Sequence, residues 1–145
     1  KKLDNNSETI KSLNDLLQGE YMAVESFNNF ISRLEDGDVK RTFQEIQGQH
    51  RENIYKLADY IQTIGGQADE SLGMKGKMGE IMLNMQLGSK TDTDELIGKA
   101  IEGETKGVNM AEKVLRGNLD DISRDLSGEI LEKDRRSIEK LKSLV

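Results

Sequence analysis

Residues 38–66 read DVKRTFQEIQGQHRENIYKLADYIQTIGG, and this stretch decides the fold. Apolar side chains recur at Val39, Phe43, Ile46, Ile54, Leu57, Ile61 and Ile64. The steps alternate between three and four residues, the period of an α-helix that buries one stripe in a bundle. Gly65-Gly66 ends the helix, because only glycine enters the left-handed C-terminal conformation freely. At the other end Gly37 closes the preceding helix, and Asp36 or Asp38 supplies the new cap. The chain contains no proline, so its helices can run long without a break.

The same period extends on both sides. A first helix is predicted over Ser7–Glu35, with Asn5 and Glu8 at capping-box spacing. Its stripe is Ile10, Leu13, Leu17, Val24, Phe27, Ile31 and Leu34. A third helix is predicted over Thr93–Arg116, opened by Asp92 with Glu95, with Ile97, Ala100, Ile101, Val108, Ala111, Val114 and Leu115 inward. A fourth is predicted over Leu119–Leu144, with Leu119, Ile122, Leu126, Ile130, Ile138, Leu141 and Val145 inward. Asp120 and Asp121 at its start and Lys140 and Lys142 at its end suit the helix dipole. Between the second and third helices, residues 67–91 carry Leu72, Met78, Ile81, Met82 and Met85 at helical spacing. Part of this crossover is expected to be helix, weakened by Gly73, Gly76 and Gly79.

Each helix of about 24–28 residues spans roughly 36–42 Å. Tight turns make helices 1 and 2 antiparallel, and likewise 3 and 4. A crossover of this length returns along the bundle, so helices 2 and 3 run parallel. The expectation is an all-α four-helix bundle, one domain over 1–145.

Composition narrows the function classes. Among 145 residues there is no cysteine, no tryptophan and one histidine, so disulfides and thiolate metal sites are out. The net charge of −6 argues against nucleic acid and anionic membranes as partners. No apolar run is long enough to span a bilayer. The first ten residues, KKLDNNSETI, lack the apolar stretch of a signal peptide, so a cytoplasmic location is expected. There is no glycine-rich phosphate loop and no nucleophile–His–acid pattern. Met74, Met78, Met82 and Met85 could offer soft ligands to Cu(I), but methionine at helical spacing is more often a flexible contact patch. The acidic surface and the crossover leave a homodimer open.

The informative positions are polar residues where the period demands apolar ones. They are Glu20 on helix 1, His50 beside Asn53 on helix 2, and Glu104 on helix 3. On helix 4 the stripe breaks at Lys133 and Asp134, flanked by Glu129 and Glu132. All fall near mid-helix and meet at one level. Buried carboxylates must be paired, protonated or metal-bound. One reading is a carboxylate/His metal site for Fe, Mn or Zn, with Glu20, His50, Glu104 and either Glu129 or Asp134 as ligands, Glu129 first. A second is an internal network in which Lys133 pairs with Glu20 and Glu104. A third turns some of these side chains to the solvated rim. Gly103-x-x-x-Gly107, with Gly48, marks either a close helix approach or a small space beside this level.

Several ordered features resemble an uncharacterised bacterial ferritin-like family, the domain of unknown function 2383. They are Leu13-Asn14-Asp15-Leu16 with Gly19-Glu20, then Phe43-Gln44-Glu45-Ile46, Leu57 and Ile64-Gly65-Gly66, then Gly103-Glu104. The resemblance covers about residues 10–144. It implies a ferritin-like bundle and no particular activity. Ferritins and rubrerythrins carry Glu-x-x-His on helix 2, where this chain has His50-x-x-Asn53. On helix 4, Glu132 is followed by Arg135 in place of a second Glu-x-x-His. A two-histidine site is therefore impossible, and no standard ferroxidase motif is present. Two functions follow as expectations. The first is a non-enzymatic ferritin-like protein acting through assembly or partner contacts. The second is a carboxylate/His metal-binding protein in metal or oxidative-stress handling.

Overall fold

Three aspartates start three of the helices. Asp36 accepts from the backbone N–H groups of Asp38 and Val39 at 2.9 and 3.1 Å. Asp92 accepts from that of Glu95 at 2.7 Å, and Asp120 from that of Ser123 at 2.7 Å. Each satisfies donors that the first helical turn cannot. In the computed structural model the helices are α1 (Lys2–Arg33), α2 (Gly37–Thr63), α3 (Thr93–Leu115) and α4 (Asp121–Lys142). The structure describes residues 2–70 and 92–145. The expected crossover helix falls outside the described residues beyond Glu70, together with Met74, Met78, Met82 and Met85. α1 begins five residues earlier than expected, so Asn5 lies within the helix and not at its cap.

Two apolar clusters fix the helix directions. One joins Phe27, Phe30 and Leu34 of α1 to Val39, Phe43 and Ile46 of α2, Leu96, Ile97 and Ala100 of α3, and Leu141 of α4. The other joins Leu13, Leu16 and Leu17 to Leu57, Ile61, Ala111, Val114, Ile130 and Leu131. The first therefore gathers the end of α1, the starts of α2 and α3, and the end of α4. α2 and α3 run parallel, as do α1 and α4, so the end of α2 and the start of α3 lie at opposite ends of the bundle. α1 packs on α2 and α3, and α4 packs on α3 and α2.

The chain after α2 lies along α1 as far as Asp69. Asn14 Nδ2 donates to the Gln67 carbonyl at 3.0 Å, and its Oδ1 accepts from Asp69 N–H at 2.8 Å. Gln18 Nε2 donates to the Asp69 carbonyl at 2.6 Å. The turn that permits this uses Gly65 at φ +87°, where an L side chain is strained. Gly66 presses on α1, since a Cβ there would lie 2.8 Å from Ile10 Cγ1.

α4 differs in phase from the expected stripe. Ile122 and Val145 are 59% and 72% exposed. The buried face is Ser123, Ser127, Ile130, Leu131, Asp134, Ser137 and Leu141. Serines occupy three buried turns of this face, so a stripe drawn through the isoleucines is rotated off it.

Gly65→Ala is expected to cost about 1 kcal/mol, because the penalty is backbone strain alone. Gly66→Ala is expected to cost more, because Ile10 must also move. Urea denaturation midpoints of the two variants compare them directly.

Candidate metal centre

Between the two apolar clusters lies one polar layer, to which every helix contributes. Glu20 comes from α1, His50 and Asn53 from α2, Glu104 from α3 and Asp134 from α4. Their exposures are 4, 2, 1, 2 and 2% in that order. Helical period places them: Asn53 follows His50 by three residues and shares its face. Likewise Asp134 follows Ile130 by four and precedes Leu141 by seven.

His50 is the hub. Its Nδ1 lies 2.8 Å from Glu20 Oε1, and its Nε2 lies 3.0 and 2.9 Å from the two oxygens of Glu104. Both ring nitrogens face carboxylates, so both donate and the ring is an imidazolium. Burial alone pulls the His50 pKa down, but the charge of Glu20 and hydrogen bonds to both glutamates outweigh it and hold the pKa well above the usual value. The Phe27 ring stands 5.8 Å from the imidazole, backed by Phe30 and Phe43, which are the remaining phenylalanines of the chain.

Asn53 Nδ2 donates to Glu20 Oε1 at 2.7 Å. That bond fixes the amide's orientation, because the reverse would set two oxygens together. Its Oδ1 is left buried with no hydrogen-bond partner among the described residues. Asp134 is pushed up to about 8, first by burial and then by the negative charges of Glu20 and Glu104, with His50 acting in the opposite sense. It is therefore protonated at neutral pH in the metal-free protein. Ligand atoms of Glu20, His50 and Asp134 all lie within 4.8 Å of one another.

Of the four ligands expected from the sequence, the structure brings Glu20, His50 and Glu104 into this layer. Glu129 stands outside it, at the surface between α2 and α4. Its Oε1 accepts from Lys56 Nζ at 2.9 Å and pairs with Lys133 Nζ at 3.2 Å. Lys56 foremost holds its carboxyl below the usual range. Lys133 is thus turned outward as well, which removes the expected pairing of Lys133 with Glu20 and Glu104. Asp134, the other candidate on helix 4, takes the inward position. Counting the period from Ile130 and Leu141 points to it; the acids flanking Lys133 obscure it.

The architecture is that of a ferritin-like four-helix bundle. The profile of the domain of unknown function DUF2383 matches residues 8–117, and the chain belongs to that family. The match takes in Glu20, His50, Asn53 and Glu104 and stops before α4. A search of curated proteins finds no match. Solved structures agree on the fold. A two-domain protein from Anabaena variabilis, with DJ-1/ThiJ/PfpI-like and ferritin-like domains, is 20% identical with a TM-score of 0.77 over 96% of this chain. This chain spans 36% of that one. A ferritin-like, diiron-carboxylate protein from Bacillus anthracis is 19% identical at a TM-score of 0.73, covering 97% of this chain and 96% of that one. A dodecameric thioferritin, the bacterioferritin-related protein of Bacteroides fragilis, is 19% identical at 0.76, covering 95% and 84%.

The residues present fit a metal ion on two observations of this structure. The donor set, two carboxylates and an imidazole with a further carboxylate on the ring's other nitrogen, suits iron, manganese or zinc. The orphaned Asn53 Oδ1 also offers an acceptor to a guest in the layer.

The raised pKa values carry a sign. Asp134 rises from 3.8 to about 8 on folding, so its contribution is present at low pH and lost as pH climbs towards 8. His50, also raised, loses its contribution as pH rises through its folded value. The chelator-treated protein is expected to melt at progressively lower temperature between about pH 5 and pH 8. Asp134→Asn should flatten much of that slope. An unchanged slope in the variant would contradict the assignment of the proton to Asp134.

Proposed function

We propose that this protein binds a single divalent transition-metal ion, iron, manganese or zinc, in the core of the bundle. Glu20, the Nδ1 of His50 and Asp134 hold the ion, and Glu104 accepts the remaining N–H of the His50 ring. The observation that carries this reading is the meeting of the three buried ligand groups within 4.8 Å. The His50–Glu104 pair has the form by which a carboxylate fixes the tautomer and direction of a ligating imidazole. Such an ion supplies Lewis-acid chemistry in a site walled by Phe27. The chain's own residues do the rest. Glu20 and Asp134 balance its charge, Asn53 orients Glu20, and the protons of His50 Nδ1 and Asp134 leave as the ion enters.

One ion is favoured over two because the layer has one histidine, and because Asn53 stands where a second Glu-x-x-His ligand would be needed. Metal handling fits this arrangement better than a standard ferroxidase centre. A role through assembly or partner contacts has one observation in its favour: His50 already has hydrogen-bond partners on both nitrogens, so the layer can hold helix register without an ion.

The two readings separate by elemental analysis of protein purified without chelators from cells supplied with iron and manganese. One ion per chain is expected, and a purified protein with no stoichiometric transition metal would sink the metal reading. Glu20→Gln and Asp134→Asn should abolish binding. Glu104→Gln should keep the site and weaken affinity by roughly 10–100-fold, the usual effect of losing a carboxylate behind a ligating histidine. Equal loss in all three variants would make Glu104 a direct ligand.

A further inference from the structure

The polar layer needs room on α3 for a side chain that comes from α4. Asp134 enters from α4 and is buried. Its carboxyl ends against Gly107, which lies one turn beyond Glu104 on α3 and is half-buried. A Cβ added at Gly107 would stand 2.8 Å from Asp134 Oδ2 and 3.7 Å from its Cγ. Outside its own helix it would meet no other atom within 4 Å among the described residues. The glycine therefore does not serve a close approach of two helix backbones. It leaves space for one carboxyl group. Gly98 and Gly103, earlier in α3, differ, since among the described residues a Cβ at either meets nothing within 4 Å.

The conflict that a Cβ would create falls on the side chain of Asp134. α4 is held in phase on either side of it by Ile130 and Leu141, one in each apolar cluster. Next to it, Arg135 pairs with Glu112 of α3 at 3.0 Å. α3 is held by Glu104, whose two oxygens meet His50 Nε2, and by the buried Ala111. Both backbones are thus pinned above and below the contact, and the carboxyl of Asp134 is the part that can turn. Restoring ordinary contact shifts Oδ2 by about 0.6 Å or more, from 2.8 to at least 3.4 Å. Metal–ligand bonds tolerate about 0.2 Å. One methyl group at Gly107 is enough to move Asp134 beyond that tolerance while the helices stay in place.

We propose that Gly107 is a positioning residue of the metal site: by carrying no Cβ, it keeps open the place on α3 that Asp134 occupies when it meets Glu20 and His50. This rests on the reading of the layer as a metal site in which Asp134 is a ligand. Gly107 itself touches no ion and acts through Asp134.

Titration of the full chain with Co²⁺, followed by visible absorption, reads the consequence. Gly107→Ala is expected to weaken Co²⁺ binding roughly 10–100-fold, the usual effect of disturbing a group behind a ligand. The absorption of the saturated site should change as well, because one donor has moved. Gly103→Ala, one turn earlier on an exposed position of the same helix, brings the same gain in helix propensity. It should leave affinity and absorption as in the wild type. An unchanged affinity in Gly107→Ala, or an equal loss in Gly103→Ala, would overturn the proposal. A second measurement needs no metal. In chelator-treated protein, Gly107→Ala, Asp134→Ala and the double variant form a cycle of melting temperatures. Gly107→Ala should raise the melting temperature more when residue 134 is alanine than when it is aspartate. Additive shifts would show that Gly107 does not act through Asp134 and would also overturn the proposal. A wild-type chain that binds no Co²⁺ would overturn the metal reading and this proposal with it. Coupling in the cycle would then still report the contact, which separates the two failures.

Discussion

Four ionisable side chains share one level of this bundle, and their burial constrains everything around them. A lone carboxylate in such surroundings is costly, by several kcal/mol even after relaxation. Glu20 and Glu104 are tolerable because the imidazolium of His50 stands between them, 2.8 and 2.9 Å away. That geometry needs three helices in register at once. A slip of one residue in any of them turns its side chain by about 100° and breaks the hub. The apolar clusters on either side supply the register. The parallel course of α2 and α3 is required too, since both descend from the phenylalanine cluster and so bring His50 and Glu104 to the same depth.

The layer is asymmetric in its surroundings as well as its charges. Towards the ends of α1 and α4 it meets Phe27, whose ring lies 5.8 Å from His50. Low polarity there strengthens the ion pairs and sharpens the penalty for any group left unpaired.

Much of this was legible in the sequence. The three-four period gave four helices, and the stops at Gly37 and Gly65-Gly66 bounded the second of them. Glu20, His50 and Glu104 stood out as polar breaks in otherwise apolar stripes. Helix 4 was harder for a physical reason. Its buried face is built from Ser123, Ser127 and Ser137 as much as from Ile130 and Leu141, so hydropathy gave no clean phase. Ile122 was placed inward and Glu129 was favoured over Asp134. Which of two neighbouring acids turns inward depends on a rotation that small polar residues do not announce. The start of α1 was missed because Asn5 and Glu8 have capping spacing without being a boundary. The anchoring of residues 67–70 to Asn14 and Gln18 was not legible at all, because it consists of side chain to backbone bonds across fifty residues of sequence.

The balance between a register device and a metal site turns on what the layer contains beyond its hub. A device that only fixes register is complete with Glu20, His50 and Glu104, whose hydrogen bonds satisfy one another. Asp134 and the amide oxygen of Asn53 add nothing to it. Both are 98–99% buried, the first has to carry a proton to be tolerated, and the second has no partner among the described residues. Each lowers the stability of the metal-free bundle relative to an apolar side chain of similar size. Glu20, His50 and Asp134 would hold a divalent cation on the proposed reading, and Asp134 would then serve as a carboxylate and no longer need its proton. On the proposed metal reading Asp134 would be a ligand, and it is the ionisable group of the layer that a register device built from Glu20, His50 and Glu104 leaves unused.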